Sequence, residues 1–377
     1  MKTVYVLGAG FSVEAGAPTQ ASIIKEAFRI ENSNAGLFKP QEFNTFKDFL
    51  SKQLNMPEAL FPEVELEDIF TPLDRCLSDS SQYRGVGLDQ IMKIRQAVFY
   101  VVGKTIQVLL DETESSKQYI DDFAKYLVQK SSIRANSNYR QQDPVSVIST
   151  NWDILLDNSI YKAIADNDNY DAVVDYCCYI SSKDEEDVSV KPGLEKLGQG
   201  GFNVKLLKVH GSLNWLQCPR CARLYARFSK KEAVHSFTTN SSCRHCDKNF
   251  NEEAGKHVLA PNLIMPTFIK DLSNPQYRII WQNAGIELSE ASKIVFIGYS
   301  LPSADFEMRQ LLSRMTRKDA TIEVVDYCKN DDLHQQQEAR NDLEKHWRKF
   351  FGNRDIQFHF DGARNYLQYL EPKVVLL

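Results

Sequence analysis

No stretch of the 377 residues is apolar for long enough to cross a bilayer as a helix, which argues against a helical membrane protein. The first residues lack the charged head and apolar core of a secretory leader. The run Val4–Leu7 is too short for one and reads as a strand, so a cytoplasmic location is expected. Neither sign of charge dominates. Lys and Arg number 45 against 50 Asp and Glu, a net of −5, which gives no overall pull toward nucleic acid, and no direct nucleic-acid or membrane partner is expected. No internal repeat and no low-complexity tract is present, which removes solenoids and disordered tails from consideration. Of the eight cysteines, Cys76, Cys177, Cys178 and Cys328 are scattered. In a reducing compartment these are expected as small buried apolar residues, Cys177 and Cys178 in a plain strand between Tyr176 and Tyr179.

What is present begins at Val4. A short β-branched run leads into Gly8-Ala9-Gly10-Phe11-Ser12, with Gly16 close behind, and then into a helical pattern over Ala21–Ile30. Such a turn lets backbone N–H groups approach a pyrophosphate at a helix N-terminus. The spacing is G-x-G-x5-G rather than the dehydrogenase G-x-G-x-x-G, and no acidic residue clearly follows a second strand to hold a ribose. A tight strand-to-helix turn without a ligand therefore stays open at this point.

Further along, Phe43–Leu54, Leu66–Leu77, Leu88–Leu110 and Tyr119–Lys130 carry apolar residues at helical spacing, a helical insertion over 38–130. Ser131–Gln142 reads as the returning loop. Strand character resumes at Val145–Ser149, Tyr170–Tyr179, Val204–Val209, Lys293–Ile297, Thr321–Val325 and Ile356–Phe360. Helices are expected at Asp153–Ala165, Ser303–Arg317, Asp331–Phe351 and at the end, with a solvated excursion at Ser181–Gly201. Strands alternating with helices predict an α/β fold, a Rossmann-like parallel sheet covered on both faces.

In such sheets ligands sit beyond the carboxyl ends of the strands. Small, polar or titratable residues fall there repeatedly: Gly8–Ser12, then Thr150-Asn151-Trp152-Asp153, His210-Gly211, Gly298-Tyr299-Ser300, and Asp326. Each alone has a plainer reading. Asn151 and Asp153 suit a helix cap, and His210 suits a turn. The remaining cysteines form two knuckles, Cys218-Pro-Arg-Cys221 and Cys243-Arg-His-Cys246, with 21 residues between them, inside a module over 215–250. Two thiolate pairs at this spacing close a tetrahedral Zn2+ shell with no open position, so the metal is expected to be structural.

Together these residues resemble the sirtuin (SIR2) family, and more closely its prokaryotic SIR2-like defence branch. Gly8-Ala9-Gly10-Phe11-Ser12 is similar to the family's G-A-G-x-S turn, Thr150-Asn151-Trp152-Asp153 to T-Q-N-I-D, His210-Gly211 to the catalytic His-Gly, and Gly298-Tyr299-Ser300-Leu301 to G-T-S-L. The paired knuckles resemble the family's zinc ribbon. The likeness runs from the N-terminus to about Asp326, omitting 38–130. Two departures stand out. Gly16-Ala17-Pro18-Thr19-Gln20-Ala21 replaces the deacylase G-I-P-D-F-R, and Leu259–Lys270 stands where deacylases carry an F-G-E strand that clamps an acyl-lysine peptide.

The resemblance thus implies one SIR2-like domain over 1–377 and an NAD+ glycohydrolase that depletes NAD+ in phage-infected cells. It implies His210 as general base, Asn151 as orienter of ribose or water, and Asp153 on the nicotinamide amide. The backbone of Gly8, Ala9, Gly10, Phe11 and Ser12 would hold the pyrophosphate, with Gly298, Ser300 and Asp326 around the adenosine half and Thr150 also binding NAD+. A deacylase, an ADP-ribosyltransferase and a non-catalytic NAD or ADP-ribose sensor are the alternatives. The chain ends soon after its last strand, so no appended helicase, nucleotide-sensing or Argonaute-like domain is expected. A homo-oligomer and a separate partner such as a HerA-type ATPase are, with activity gated by assembly.

Overall fold

The computed structural model describes residues 1–34, 36–112, 117–136, 142–167, 171–185, 190, 193–228, 231–268, 270–328 and 332–370. Its strands in chain order are β1 (Thr3–Leu7), β2 (Val145–Ser149), β3 (Ala172–Asp175), β4 (Ile180–Ser182), β5 (Phe202–Lys208), β6 (Trp215–Gln217), β7 (Leu224–Ala226), β8 (Lys293–Ile297), β9 (Thr321–Val325) and β10 (Ile356–His359). Seven of them form one sheet in the order β10-β9-β8-β1-β2-β5-β3, every neighbouring pair parallel. The predicted α/β class holds. Val4–Leu7 and Ile294–Ile297 are buried throughout, the unbroken apolar pattern of central parallel strands covered on both faces.

The region between β1 and β2 is helical, as the spacing predicts: Ile23–Ser33, Pro40–Asp48, Leu66–Asp79, Leu88–Glu112 and Gln118–Ser131. Leu66–Asp79 shows why. Leu66, Ile69, Phe70 and Leu73 are buried at i, i+3, i+4 and i+7, one stripe of a 3.6-residue period. Phe28 gathers Phe43, Phe46 and Phe61 with ring centroids 5.4, 5.8 and 5.8 Å away, so these helices share an aromatic core. The last helix lies on the sheet itself, with Phe123 5.0 Å from Tyr5 and 6.0 Å from Phe11. Helix Leu88–Glu112 brings Gly103 against Val234 and Leu213.

Three expectations change. The strand over Tyr170–Tyr179 ends at Asp175, because the Asp175 carboxylate accepts the Cys177 N–H at 2.8 Å and Cys177 takes φ +56°, a local turn that breaks the ladder. Cys177 and Cys178 therefore sit in that turn and not in a strand, although burial raises both thiols as expected of inert packing residues. The helix expected at Ser303 starts at Phe306. An unforeseen helix, Pro275–Glu290, fills the gap before β8. It is capped by Asn274, whose side chain accepts the Gln276 N–H at 2.8 Å, with Pro275 in the first turn. The excursion at Ser181–Gly201 holds part of β4 and a short helix, Gly193–Gly198. Residues 186–189 and 191–192 of it, and 137–141 of the loop Ser131–Gln142, lie outside the described residues.

The turns after β1 and β8 touch backbone to backbone. Gly8 N–H donates to Ile297 O at 3.1 Å and Gly10 N–H to Gly298 O at 2.9 Å. A Cβ on Gly10 would fall 2.7 Å from Gly298 Cα, and one on Gly298 would fall 2.3 Å from Gly10 C at φ +59°. No side chain fits there, and neither backbone has room to give. Gly10→Ala is expected to cost about 3 kcal/mol or more in denaturant unfolding. Gly87→Ala, which meets nothing within 4 Å, is expected to stay within about 0.5 kcal/mol of the parent.

Candidate active site

Every strand of the large sheet delivers its carboxyl end to the same edge. At β1 the connections diverge: the chain after β1 goes on to β2 on one side, while after β8 it goes on to β9 on the other. A parallel sheet opens a crevice at such a switch point. There the structure holds a cavity of about 640 Å³, within the range of small-molecule pockets. Gly8, Ala9, Gly10, Thr150, Asn151, Asp153, His210, Gly298, Ser300 and Asp326 line it. Ten residues predicted from strand ends are thus brought together. Phe11 and Ser12 are not on its wall. Phe11 is core, packed edge-on to Tyr119, and Ser12 is buried beneath.

Ser12 nevertheless organises the wall. Its hydroxyl donates to Asp153 Oδ2 at 2.9 Å and lies 3.4 Å from the Asn151 amide nitrogen, which donates to it. Asp153 Oδ1 accepts the Leu155 N–H at 3.1 Å, and Lys208 Nζ donates to the Asp153 carbonyl at 2.6 Å. Asp153 therefore bonds the first N–H of the following helix and lines the cavity at once. Asn151 is buried, its amide nitrogen is spent on Ser12, and its carbonyl oxygen has no partner among the described residues. A buried acceptor left without a donor costs free energy unless a ligand supplies one.

The glycine turn offers less to an anion than its sequence suggests. The N–H groups of Gly8, Gly10, Phe11 and Ser12 already donate to Ile297, Gly298, Gly8 and Ala9 carbonyls. The glycines are required first by the backbone contact with Gly298. Thr150 is similarly engaged, its hydroxyl donating to Leu7 O at 3.1 Å. Asp326, at the end of β9, is pushed up from the usual carboxylate range by burial, partly offset by the Tyr327 N–H.

The opposite wall holds residues that strand-end reasoning missed. His210 Nε2 lies 3.3 Å from Asp305 Oδ1. Asp305 Oδ2 accepts the Tyr299 hydroxyl at 2.8 Å, and Lys270 Nζ is 3.1 Å from Asp305 Oδ1 and 3.1 Å from Glu307 Oε2. Burial pushes the Asp305 carboxyl up, but His210, Lys270 and Tyr299 together carry it well below the ordinary range. The sequence signal for Asp305 was an acidic residue at a helix start, which reads as a cap. Glu63, Glu65, Glu67 and Ile106 close the cavity from the helical region, and Gln20 Nε2 donates to Glu67 Oε1 at 2.6 Å. Six carboxylates thus line the cavity against the one ammonium of Lys270 among its lining residues, an environment that favours positive charge in its ligand.

The four cysteines lie apart from the cavity. The strands β4, β7 and β6 make a separate small sheet, and Cys218, Cys221, Cys243 and Cys246 converge with their sulfurs within 4.8 Å of one another. Tetrahedral thiolates about 2.3 Å from a zinc ion stand about 3.8 Å apart. The Cys218–Cys246 and Cys221–Cys243 separations are 3.7 and 3.8 Å. The residues fit Zn2+, and four thiolates leave no position for water. Burial pushes the Cys243 thiol up, but the Tyr225 hydroxyl at 3.2 Å and contacts from Cys246 and Cys218 bring it down to about 7. His245 is outside the cluster, 3.3 Å from the Asn249 amide.

No family model and no curated protein matches the chain. Among solved structures it is similar to a Sir2 homolog in complex with NAD, at 12% identity and TM-score 0.42, covering 98% of this chain and 87% of that one. It is also similar to Sir2 with a p53 peptide and NAD+ (12%, TM-score 0.37, 98% and 91%) and to a Sir2 bound to a propionylated peptide (13%, TM-score 0.38, 98% and 91%). At this level of overlap the functional reading rests on this chain's own residues.

Elemental analysis of the purified protein is expected to find one zinc per chain. Cys246→Ser or a strong chelator is expected to remove it and lower Tm by about 5 °C or more. A metal-free protein of unchanged Tm would contradict the assignment.

Proposed function

We propose that the cavity binds NAD+ and hydrolyses its nicotinamide–ribose bond, releasing nicotinamide and ADP-ribose. The observation that carries this reading is the convergence of His210 with the unpartnered Asn151 carbonyl oxygen, from neighbouring strands β5 and β2, on one acidic cavity at the switch point. In the reaction a water oxygen bonds to the ribose carbon, the carbon–nitrogen bond breaks with its electron pair leaving on nicotinamide, and the water proton goes to His210. Asn151 orients the water or a ribose hydroxyl through its free oxygen, and Asp153 takes the nicotinamide amide. The carboxylate-rich wall favours the nicotinamide cation and the positive charge that builds on the ribose. With most of their N–H groups already engaged, Gly8, Ala9 and Gly10 contribute a close backbone surface for the pyrophosphate, and Gly298, Ser300 and Asp326 border the adenosine half. Phe11, Ser12 and Thr150 support the turn from behind or beside it.

The resemblance to the SIR2-like defence branch supports a finer role as the NAD+-depleting effector of an anti-phage system. Uncontrolled hydrolysis would kill the host, so activity is gated by assembly into a homo-oligomer and by a separate partner such as a HerA-type ATPase. The 38–130 region is the natural gate, because Glu63–Glu67 forms part of the cavity wall. No helix among the described residues is long and apolar enough to cross a membrane. Where deacylases carry a peptide clamp, Pro266 and Lys270 line this cavity, Ile264 N–H bonds His210 O at 3.0 Å and Lys270 pairs with Asp305.

Chromatography of NAD+ incubated with the protein, alone and in its native assembly, is expected to show equimolar nicotinamide and ADP-ribose. His210→Ala and Asn151→Ala are each expected to lower turnover at least about 100-fold with the fold intact. NADH, whose nicotinamide carries no positive charge, is expected to be a poor substrate. Near wild-type turnover in either variant would contradict the assignment, and nicotinamide release that requires an acylated peptide would favour the deacylase.

A further inference from the structure

Asp305 occupies the N-cap position of helix Phe306–Met315, where an Asp ordinarily turns its carboxylate onto the free N–H groups of the first turn. It makes no such bond. The carboxylate instead points away from its own helix, with Oδ2 accepting the Tyr299 hydroxyl at 2.8 Å and Oδ1 standing 3.3 Å from His210 Nε2. Lys270 fixes the other side. Its ammonium is almost wholly buried, donates to the Ala304 carbonyl at 3.2 Å, and pairs in charge with Asp305 Oδ1 and Glu307 Oε2, each 3.1 Å away. The turn that presents Tyr299 is held as well. Leu301 adopts φ +52°, unusual for a branched side chain, and its carbonyl accepts from Arg309 Nη1 at 2.9 Å and lies 3.3 Å from His346 Nε2. Three chain segments thus spend buried polar contacts to aim one carboxylate at the imidazole.

We propose that Asp305 is a positioning residue for His210: it holds the imidazole in the tautomer with the proton on Nε2, leaving the lone pair on Nδ1 to accept the proton in the reaction. The proposal rests on the NAD+ hydrolase reading for its chemical consequence, though not for the geometry. The Nε2–H faces Asp305 Oδ1, 3.3 Å away, the Nδ1 lone pair takes the proton released as water bonds to the ribose carbon, and the resulting imidazolium is balanced by the carboxylate. Lys270 and Tyr299 keep that carboxylate ionised in its buried place, consistent with the downward direction of its pKa. The other charged groups of the cavity are Asp153, Asp326, Glu63, Glu65 and Glu67 on its walls, with Glu307 behind Lys270. Trp281 covers the ring from the helix before β8, its centroid 6.2 Å away.

The test combines kinetics with nitrogen NMR of histidine-labelled full-length protein, His210 being assigned by loss of its signals in His210→Gln. In the parent, the His210 nitrogens are expected to show the Nε2–H tautomer at neutral pH. Asp305→Asn preserves size but supplies no charge, and its amide can turn a donor toward the ring. It is expected to shift His210 toward the Nδ1–H tautomer and to lower kcat about 100-fold, with KM changed by less than about threefold. Tyr299→Phe, which removes one hydrogen bond from Asp305 and leaves the charge, is expected to lower kcat about threefold in the same direction. It serves as the decisive variant if Asp305→Asn does not fold. An unchanged tautomer, or a kcat within twofold of the parent in the folded Asp305→Asn protein, would overturn the proposal. If the parent itself does not cleave NAD+, the hydrolase reading falls while the tautomer measurement still decides the role of Asp305.

Discussion

The contact on which the site depends is the one between two bare backbones, Gly8 to Gly10 at the end of β1 and Gly298 at the end of β8. It sits where the sheet's connections diverge and closes the floor of the crevice. Because the turns meet without side chains between them, the walls above them come near enough to share one ligand. The wall after β2 and β5 carries Asn151, Asp153 and His210, and the wall after β8 carries Ser300 and, a few residues on, Asp305. A Cβ at Gly8 would fall 2.5 Å from Gly298 O, so any side chain at this seam pries the walls apart.

On that floor the fold places charges whose desolvation must be offset by partners. Lys208 is buried against Asp157 at 3.2 Å and also holds the Asp153 carbonyl, so the strand behind His210 braces the helix start that carries Asp153. Lys270 is buried against Asp305 and Glu307 and ties the segment leaving the cysteine module to the turn after β8. That segment also bonds the His210 carbonyl through Ile264, whose own carbonyl accepts from Trp152 Nε1 at 3.2 Å. His210 is therefore held at its backbone by Ile264 and faced at its ring by Asp305. A histidine held in this way suits proton transfer better than one free to rotate, because orientation is settled before the ligand arrives.

Much of this was legible in the sequence wherever a residue type and a strand end coincide. Gly8, Asn151, His210, Gly298 and Asp326 follow apolar runs directly, and parallel topology carries all such positions to one edge. The cysteine spacing was equally readable, since two C-x-x-C turns specify a tetrahedron largely by themselves. What escaped depends on tertiary contact. Asp305 looks like any helix cap until His210 and Lys270 are beside it. Lys270 lies in an irregular segment with no periodicity to read, and Glu63–Glu67 reaches the cavity only because the aromatic core around Phe28 packs its helices over the β1 turn. The strand through Cys177 failed for a local reason, an Asp175 side chain that takes a backbone N–H and turns the chain. The glycine turn was located correctly but its reason shifted, from exposing N–H groups toward a phosphate to admitting another backbone.

The reaction proposed for this cavity is cleavage of NAD+ by water. Incubating the protein in its native assembly with NAD+ in oxygen-18 water, and weighing the products by mass spectrometry, tests it most directly. The account predicts nicotinamide and ADP-ribose in equal amounts, with one heavy oxygen in each ADP-ribose and none of this when His210 is replaced by Ala. NAD+ that is bound and returned intact, or ADP-ribose transferred to another acceptor without the label, would contradict it.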